Sequence, residues 1–417
     1  MELQKFHLVT RLASQAAHYG DREAIRYWEN GQLCSMSWKV FYQKIQEIAK
    51  ALLHYQVGVQ EPIGIFAPNS PEWTIVDMAA AHLRACAVPI YATNTADQAA
   101  YIVNNADIKI LFVGEKEQYE KVAQIRQQCP GLQLVVLFDE SLQQEGAQEV
   151  LPLSKFVAAA NQGAYEALLR ERIQQCSLQD LYTIIYTSGT TGNPKGVMID
   201  YENVAYQLIN HDERLSVVEG NVSMSFLPLS HVYERMWVAY VFHKGVINCY
   251  LDDTNRVAEA LKEVKPHYLC VVPRLLEKIY TKIYEKISKE SIVKRMVFAA
   301  ATRIAKIQLG RTKKGKYPSF ILKKLYGVAD RLVFQKLKDA LGGNIQMIPC
   351  GGALLEPSIG RFFRAIGVNV TLGYGMTETT ATVSCWDDHK FKLKSVGTLM
   401  PYVQAKIGQD NEILLKG

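Results

Sequence analysis

"LYTIIYTSGTTGNPKGV", residues 181–197, places an apolar run of aromatic and β-branched residues directly before a loop rich in glycine and hydroxyl groups. The run 181–186 predicts a buried strand, so the loop leaves the carboxyl end of a strand, where ligands of open α/β sheets bind. Glycines let backbone N–H groups approach an anion, hydroxyls add donors, and a lysine adds positive charge. These features are those of a polyphosphate-binding loop, with the candidates Thr187, Ser188, Gly189, Thr190, Thr191, Gly192 and Lys195.

Two simpler interpretations of the loop are less favoured. A solvent-exposed turn explains any short part of it, but not the Pro194-Lys195-Gly196 ending after a strand. A Walker A loop would need glycine in place of Pro194 and a hydroxyl in place of Gly196, so an ordinary P-loop ATPase is excluded. After the loop, Asp200 is predicted to cap a helix that buries Tyr201, Val204, Ala205 and Leu208 on one face.

The rest of the chain repeats this strand-then-helix order. Short apolar runs such as "PIGIFAPN", "IKILFVG", "QLVVLFD", "HYLCVVP" and "VNVTLGYG" are each followed by a helical pattern or a glycine-rich turn. "SPEWTIVDMAAAHLRA" has the Ser-Pro start of a helix. This alternation predicts an α/β fold of mostly parallel sheets with helices on both faces.

Changes in pattern suggest the domain limits. We expect a first α/β subdomain at 1–175 and a second at 176–390, with a helical insertion at about 274–341, where strand signals vanish. Residues 391–417 change to short alternating strands and predict the start of a β-barrel subdomain.

Composition excludes several classes of protein. The 417 residues are 48% hydrophobic and 21% charged, as in a soluble globular protein. The eight cysteines show no metal-binding spacing and indicate buried thiols in a reducing compartment. No secretory signal is evident, and the most apolar stretch is interrupted by Asp77, His82 and Arg84. We expect a cytoplasmic protein.

Positive charge is concentrated in the helical insertion. Between Arg274 and Lys338 there are eighteen Lys or Arg and four acidic residues. Lys278, Lys282, Lys286 and Lys289 recur at helical spacing beside a stripe of isoleucines. A solvated helix face is the first interpretation, and peripheral contact with an anionic membrane is the second. Nucleic-acid binding has no supporting motif, and we expect none.

Further motifs connect the loop to a known family. The loop resembles the phosphate-binding motif of the adenylate-forming (AMP-binding) superfamily, and "GYGMTETTA" at 373–381 resembles its second signature. "CGGALL" at 350–355 resembles its adenine-side loop. "LPLSHVYERM" at 227–236 and "CVVPRLLEKIY" at 270–280 resemble bacterial long-chain fatty acyl-CoA synthetases. Ala92 stands where many relatives have proline, a departure that bears on a turn.

The resemblance implies roles for individual residues. Tyr374 would lie against adenine, together with Gly351, Gly352 and Ala353; Thr377 would contact the α-phosphate region and Glu378 would bind Mg²⁺. Gly373, Gly375 and Met376 complete the nucleotide-binding set, and Thr187 is a second metal candidate. Lys195, Thr377, Glu378 and His231 are the catalytic candidates, with His231 beside the acyl substrate. His231 taken alone is equally well explained as a polar residue that ends a strand.

The reaction implied is the activation of a long-chain fatty acid by MgATP to an acyl-adenylate, followed by thioester formation with coenzyme A. The family's hinge and C-terminal lid domain have no counterpart in these residues, so we expect an N-terminal part with reduced activity. Two alternatives stay open: an adenylating enzyme for an aryl or amino acid, and a truncated, non-catalytic nucleotide or acyl binder. Oligomerisation is also open.

Overall fold

The computed structural model describes residues 3–143, 149–160, 162–187, 192–312, 317–387 and 391–417. The helices are α1 Leu8–Tyr19, α2 Trp38–His54, α3 Pro71–His82, α4 Ala96–Asn105, α5 Lys116–Ile125, α6 Leu153–Ala159, α7 Glu166–Gln174, α8 Tyr201–Arg214, α9 Val232–His243, α10 Val257–Val264, α11 Pro273–Ser288, α12 Ile292–Thr312, α13 Phe320–Ala329, α14 Gln335–Asp339 and α15 Pro357–Ala365.

The strands are β1 Glu23–Glu29, β2 Gln32–Ser37, β3 Pro62–Phe66, β4 Cys86–Ile90, β5 Ile110–Val113, β6 Leu134–Leu137, β7 Val150–Pro152, β8 Leu181–Thr187, β9 Lys195–Asp200, β10 Val222–Ser225, β11 Ile247–Tyr250, β12 Tyr268–Leu269, β13 Ile348–Cys350, β14 Val370–Met376, β15 Ala381–Cys385, β16 Thr398–Leu399, β17 Gln404–Ile407 and β18 Ile413–Lys416.

The chain forms two compact units. The first comprises Met1–Ile209 and Pro228–Asp252, and the second Asn210–Leu227 and Asp253–Gly417. The two strands that flank the phosphate loop, β8 and β9, belong to the first unit, in which β8 pairs with β4. The subdomain limits predicted from the sequence, 1–175, 176–390 and 391–417, stay predictions, which limited proteolysis would test.

A seven-stranded sheet organises the described part of the first unit. Its order is β7-β6-β5-β3-β4-β8-β9, and every neighbouring pair is parallel except β8 with β9. Its central strands are buried on both faces, as expected of a parallel sheet covered by helices. A second set of strands pairs β1 with β2 and with β11.

Local sequence explains how the helices beside this sheet begin. The side chain of Ser70 accepts a hydrogen bond from the amide of Trp73 at 3.2 Å, and Pro71 starts α3. Asp200 accepts from the amide of Asn203 at 2.8 Å at the start of α8. The four residues predicted for the buried face of α8 are each at most 1% exposed. Both predicted helix starts are therefore confirmed.

The second unit combines a mixed sheet with helices. β10 is parallel to β12, β13 is parallel to β14, and β14, β15 and β16 follow in antiparallel order. The predicted helical region contains α11, α12, α13 and α14. β17 and β18 form a hairpin, and no closed barrel is formed by the described residues of 391–417. The α/β fold class is confirmed.

All eight cysteines are in the described part of the chain, and all are free thiols, six of them buried. Among the described helices, none has the length and apolar content needed to cross a bilayer.

Candidate functional site

The phosphate loop is anchored by a hairpin at the edge of the first sheet. Thr187 ends β8 and faces Lys195, which begins β9, so the two residues bracket the loop as a cross-strand pair. Lys195 is exposed, and Thr187 is half-buried. Gly192 has a φ of 96° and no atom within 4 Å of where a Cβ would lie. Ser188, Gly189, Thr190 and Thr191 lie outside the described residues.

The base of this hairpin is tightly packed. A Cβ on Gly196 would come within 2.7 Å of the Ile184 side chain and 3.3 Å of the Tyr186 ring. The Tyr186 hydroxyl donates to Asn105 Oδ1 at 2.6 Å, and burial raises its pKa to about 12. Tyr186 is therefore neutral, and its ring beside Gly196 explains the glycine that follows Lys195.

His231 starts α9 rather than ending a strand. Its Nδ1 accepts a hydrogen bond from the amide of Tyr233 at 3.1 Å, which makes it the N-cap of α9. The residue remains exposed, yet the atoms packed around its ring lower its pKa below the usual value. A neutral imidazole that accepts at Nδ1 carries its proton on Nε2. His231 can therefore donate from Nε2 while it caps the helix.

Tyr91 is a neighbour of His231 that the sequence did not single out. Its ring lies 6.4 Å from the imidazole at an interplanar angle of 68°. Tyr91 directly follows β4, and β4 is the parallel neighbour of β8. Tyr91 and Thr187, which begins the phosphate loop, therefore lie at the carboxyl ends of adjacent strands, where α/β sheets bind their ligands, and His231 lies beside Tyr91. Burial raises the pKa of Tyr91 to about 12, so its hydroxyl keeps its proton.

A buried network of charged and hydroxyl side chains joins α3, α9 and β8. Arg235 on α9 forms an ion pair with Asp77 on α3, and each side chain is 1% exposed. The Arg235 guanidinium also donates to the hydroxyls of Tyr182 at 3.1 Å and Thr183 at 2.5 Å, both on β8. The Tyr182 hydroxyl donates to Asp77 at 2.6 Å. The network fixes α3, α9 and β8 to one another, and the sequence offered no signal for it.

The second unit places two predicted motifs side by side. Gly351, Gly352 and Ala353 directly follow β13, and Cys350 at the end of β13 pairs with Leu372 of β14. Gly373 to Met376 form the rest of β14. Gly352 has a φ of 82° and is exposed with Ala353, so this backbone is open to a ligand.

The strand β14 is shaped around Gly375. A Cβ at this position would lie 1.4 Å from the carbonyl oxygen of Ala381 on β15, so no other residue fits without moving the backbone. The pairing shifts register between Tyr374 and Gly375, as in a β-bulge. This bulge leads into a short turn, Thr377–Thr379, in which Thr377 is buried and Glu378 is exposed.

The described side chains offer one exposed carboxylate, that of Glu378, as a candidate magnesium ligand. Among the described residues no three His, Cys, Asp or Glu side chains form a metal cluster. Magnesium usually keeps several waters and binds through one or two carboxylates together with substrate phosphates, so it needs no cluster of protein ligands. The exposed carboxylate of Glu378 meets that requirement.

Thr187, Gly192, Lys195 and His231 belong to the first unit; Gly351–Ala353, Tyr374, Thr377 and Glu378 belong to the second.

Known proteins resemble this chain over nearly its whole length. Long chain acyl-CoA synthetase 4 of Arabidopsis thaliana is 30% identical over 398 residues, 90% of this chain and 57% of the relative. The long-chain-fatty-acid–CoA ligase FadD15 of Mycobacterium bovis is 30% identical over 378 residues, 90% of this chain and 61% of the relative. The chain thus spans little more than half the length of the curated relatives it matches.

Solved structures show the same fold. The N-terminal domain of FACL13 from Mycobacterium tuberculosis has a TM-score of 0.70 at 17% identity, covering 98% of this chain and 86% of that one. The anthranilate CoA ligase AuaEII, in complex with anthranoyl-AMP, has a TM-score of 0.74 at 17% identity, covering 100% of this chain and 71% of that one. The family described as AMP-binding enzyme matches residues 12–415. The chain therefore belongs to the AMP-binding, or adenylate-forming, enzyme family.

Proposed function

We propose that this chain takes part in the ATP-dependent activation of a long-chain fatty acid. The fatty acid carboxylate attacks the α-phosphorus of ATP, which forms an acyl-adenylate and releases pyrophosphate. The thiol of coenzyme A then attacks the acyl carbon, loses its proton, and displaces AMP to leave a thioester. The observation that carries this proposal is the glycine-rich loop between Thr187 and Lys195, at the carboxyl edge of a parallel sheet.

The first unit would serve the phosphates and the acyl group. The first step brings two anions together, so neutralising charge supplies much of the catalysis. Lys195 is exposed at the loop's exit and would neutralise phosphate charge, while Thr187, Gly192 and the rest of the loop would donate hydrogen bonds. His231, held by its capping bond to Tyr233, would donate from Nε2 and position the substrate carboxylate.

The second unit would serve the adenine and the metal. Gly352 and Ala353 are exposed and would offer open backbone for a purine beside β14, next to the buried Gly351, and Tyr374 would stack on it. Glu378 would hold Mg²⁺, and Thr377 would contact the α-phosphate region. Bound magnesium would supply further positive charge for the phosphates. Both Gly373 and Gly375 let β14 run close to β15, which places the turn.

Pyrophosphate exchange with full-length protein tests the proposal. We expect label from pyrophosphate to enter ATP only when a long-chain acid such as palmitate is present, because exchange reports reversal of the first step. Lys195→Ala should reduce the exchange rate, and Lys195→Arg should restore part of it because the charge returns. Exchange supported by an aryl or amino acid but not by palmitate would establish the alternative substrate class. Nucleotide binding without any exchange would establish a non-catalytic binder.

We also propose peripheral contact with an anionic membrane through α13. Phe320, Ile321, Leu325 and Val328 on this helix are 47–71% exposed, which is unusual for large apolar residues on a soluble surface. Lys323 and Lys324 lie among them and are exposed. An apolar helix face beside lysines is typical of interfacial helices.

Co-sedimentation with phosphatidylglycerol vesicles tests this contact. We expect binding that weakens as salt is raised and falls when Lys324 is replaced by glutamate. Equal binding to neutral phosphatidylcholine vesicles at every salt concentration would contradict an electrostatic contact.

A further inference from the structure

An apolar groove lies within the helical region of the second unit. It has a volume of about 680 Å³ and is formed by α10, α11, the start of α12 and residues 332–341. Sites for single small molecules have volumes of about 300–1,000 Å³, so the groove is of the size that holds one ligand. It contains none of the residues assigned above to nucleotide, metal or His231 chemistry.

One wall of the groove is a regular apolar stripe. Leu275, Ile279, Ile283 and Ile287 recur every four residues along α11 and all line the groove. With a helical rise of about 1.5 Å per residue, this stripe is about 18 Å long. A surface of that length and narrow width suits an extended hydrocarbon chain.

The stripe is not the face that holds α11 in the fold. The packed face carries Leu276, which is fully buried, and Tyr280 and Tyr284, whose rings contact Phe362 at 5.1 and 5.9 Å. Tyr284 also packs edge-on against Phe298 at 5.5 Å. Helix α11 therefore has a second apolar face beyond the one its packing requires.

The mouth of the groove also exposes apolar side chains. Val293 and Val297 of α12 are 70% and 44% exposed, and Leu332 is 58% exposed. Large apolar residues that cluster at one opening, rather than lying singly, indicate a binding surface.

Lysines surround this opening. Among the residues that the structure describes, five lysines and one acidic residue, Glu290, line the groove, and the Glu290 carboxylate pairs with Lys294 at 2.7 Å. An apolar channel with a cationic rim is complementary to a molecule with one long apolar part and one anionic end. The lysines are Lys278, Lys282, Lys286, Lys294 and Lys336.

We propose that this groove is an accessory binding site for one long-chain fatty acid anion, with its hydrocarbon chain along the α11 stripe and its carboxylate at the lysine rim. The volume accommodates one chain, which favours a free fatty acid over a two-chain phospholipid. Binding here requires neither ATP nor adenylation, so the proposal goes beyond the activation reaction and does not depend on it.

Equilibrium dialysis with radiolabelled palmitate, without ATP, tests the site. Ala258 and Ala340 both line the groove and are exposed, so tryptophan at either position fills the groove without disturbing the core. We expect Ala258→Trp to remove one bound palmitate per chain. Ala300→Trp, at an exposed position of α12 outside the groove, is the matched control and should bind as the unmodified protein does.

Charge reversal gives an independent readout. Lys282→Glu should weaken palmitate binding to the groove by about tenfold, because an attraction becomes a repulsion at close range. Lys306→Glu, at an exposed position of α12 outside the groove, is the charge-matched control and should leave palmitate binding unchanged. If Ala258→Trp fails to fold by circular dichroism, Ala340→Trp replaces it.

Three results would overturn the proposal. Unchanged palmitate stoichiometry in Ala258→Trp and Ala340→Trp would show that the groove is empty of fatty acid. Equal affinity in Lys282→Glu would show that the rim does not bind the carboxylate. If these groove variants lose binding to phosphatidylglycerol vesicles but keep palmitate binding, the groove is a site for membrane phospholipid. Pyrophosphate exchange measured on the same variants shows whether the activation reaction is affected. Failure of the groove proposal can then be distinguished from failure of the proposed activation reaction.

Discussion

Replacement of Arg235 by methionine should destabilise the first unit severely. Methionine keeps much of the length and apolar volume of the side chain, so the main change is loss of the charge and its donors. The Asp77 carboxylate then stays in a site where it is 1% exposed, with the Tyr182 hydroxyl as its remaining partner in the network. Burial alone would lower the pKa of Arg235, but Asp77 and Tyr182 raise it above its usual value. Arg235 is therefore charged in the folded protein.

The expected cost follows from the unpaired charge. Breaking a buried ion pair by removing one partner typically costs about 3–5 kcal/mol, because the other charge is left desolvated. With a urea m-value of about 3 kcal/mol/M, a loss of about 4 kcal/mol lowers the unfolding midpoint by about 1.3 M. Replacing both residues, as in Asp77→Leu with Arg235→Met, removes the unpaired buried charge. Such double replacements often leave the free energy of unfolding almost unchanged.

Urea unfolding followed by far-UV circular dichroism and by tryptophan fluorescence measures these differences. Trp73 is buried, and the Arg235 guanidinium lies 5.4 Å from its ring centre, so fluorescence reports on this region. Lys294→Met is the matched control, since it removes an exposed ion pair with Glu290 and should scarcely change the unfolding midpoint. A midpoint for Arg235→Met close to that of the control, or a double variant as unstable as the single one, would refute the reasoning.

Three further outcomes are expected. Gly375→Ala should lower the thermal midpoint clearly, because its Cβ would overlap the Ala381 carbonyl, whereas Gly310→Ala in α12 meets no atom and should leave it unchanged or higher. Burial lowers the pKa of His7 and His82 from 6.5 to about 4, so the unfolded chain binds more protons; urea midpoints should be highest above pH 6.5 and fall as the pH drops towards 4. His231→Asn should keep the α9 cap and the stability but slow pyrophosphate exchange; unchanged exchange would restrict His231 to capping.

The features that local sequence specifies were predictable. Strand β8, the loop that follows it and the cap at Asp200 each depend on consecutive residues. Strand propensity, glycine content and capping all act over a few positions, so these features can be predicted locally. The contact of Tyr91 with His231 was not predicted, because it joins positions 140 residues apart and neither residue lies in a sequence pattern that indicates the other.

The polar residues within the apolar stretch 75–92 also show that sequence alone does not identify long-range partners. Asp77, His82 and Arg84 were interpreted only as interruptions of a membrane span. Each has a specific partner: Asp77 pairs with Arg235, Nδ1–H of His82 donates to the Met78 carbonyl at 2.7 Å, and Arg84 binds Asp180 at 2.7 Å. A buried charge requires a partner, but the sequence does not say which of many opposite charges supplies it.

Helix α11 shows why periodicity alone does not locate a binding surface. Its sequence has two apolar stripes, one with Tyr280 and Tyr284 and one with Ile279 and Ile283, and both satisfy the spacing of a core-facing helix. Which stripe is packed depends on the partner, and Phe362 lies against the tyrosines. The isoleucine stripe is then left half-buried along the groove, and a lysine stands one position before each of its isoleucines. A ligand with an apolar chain and an anionic end would use both features at once.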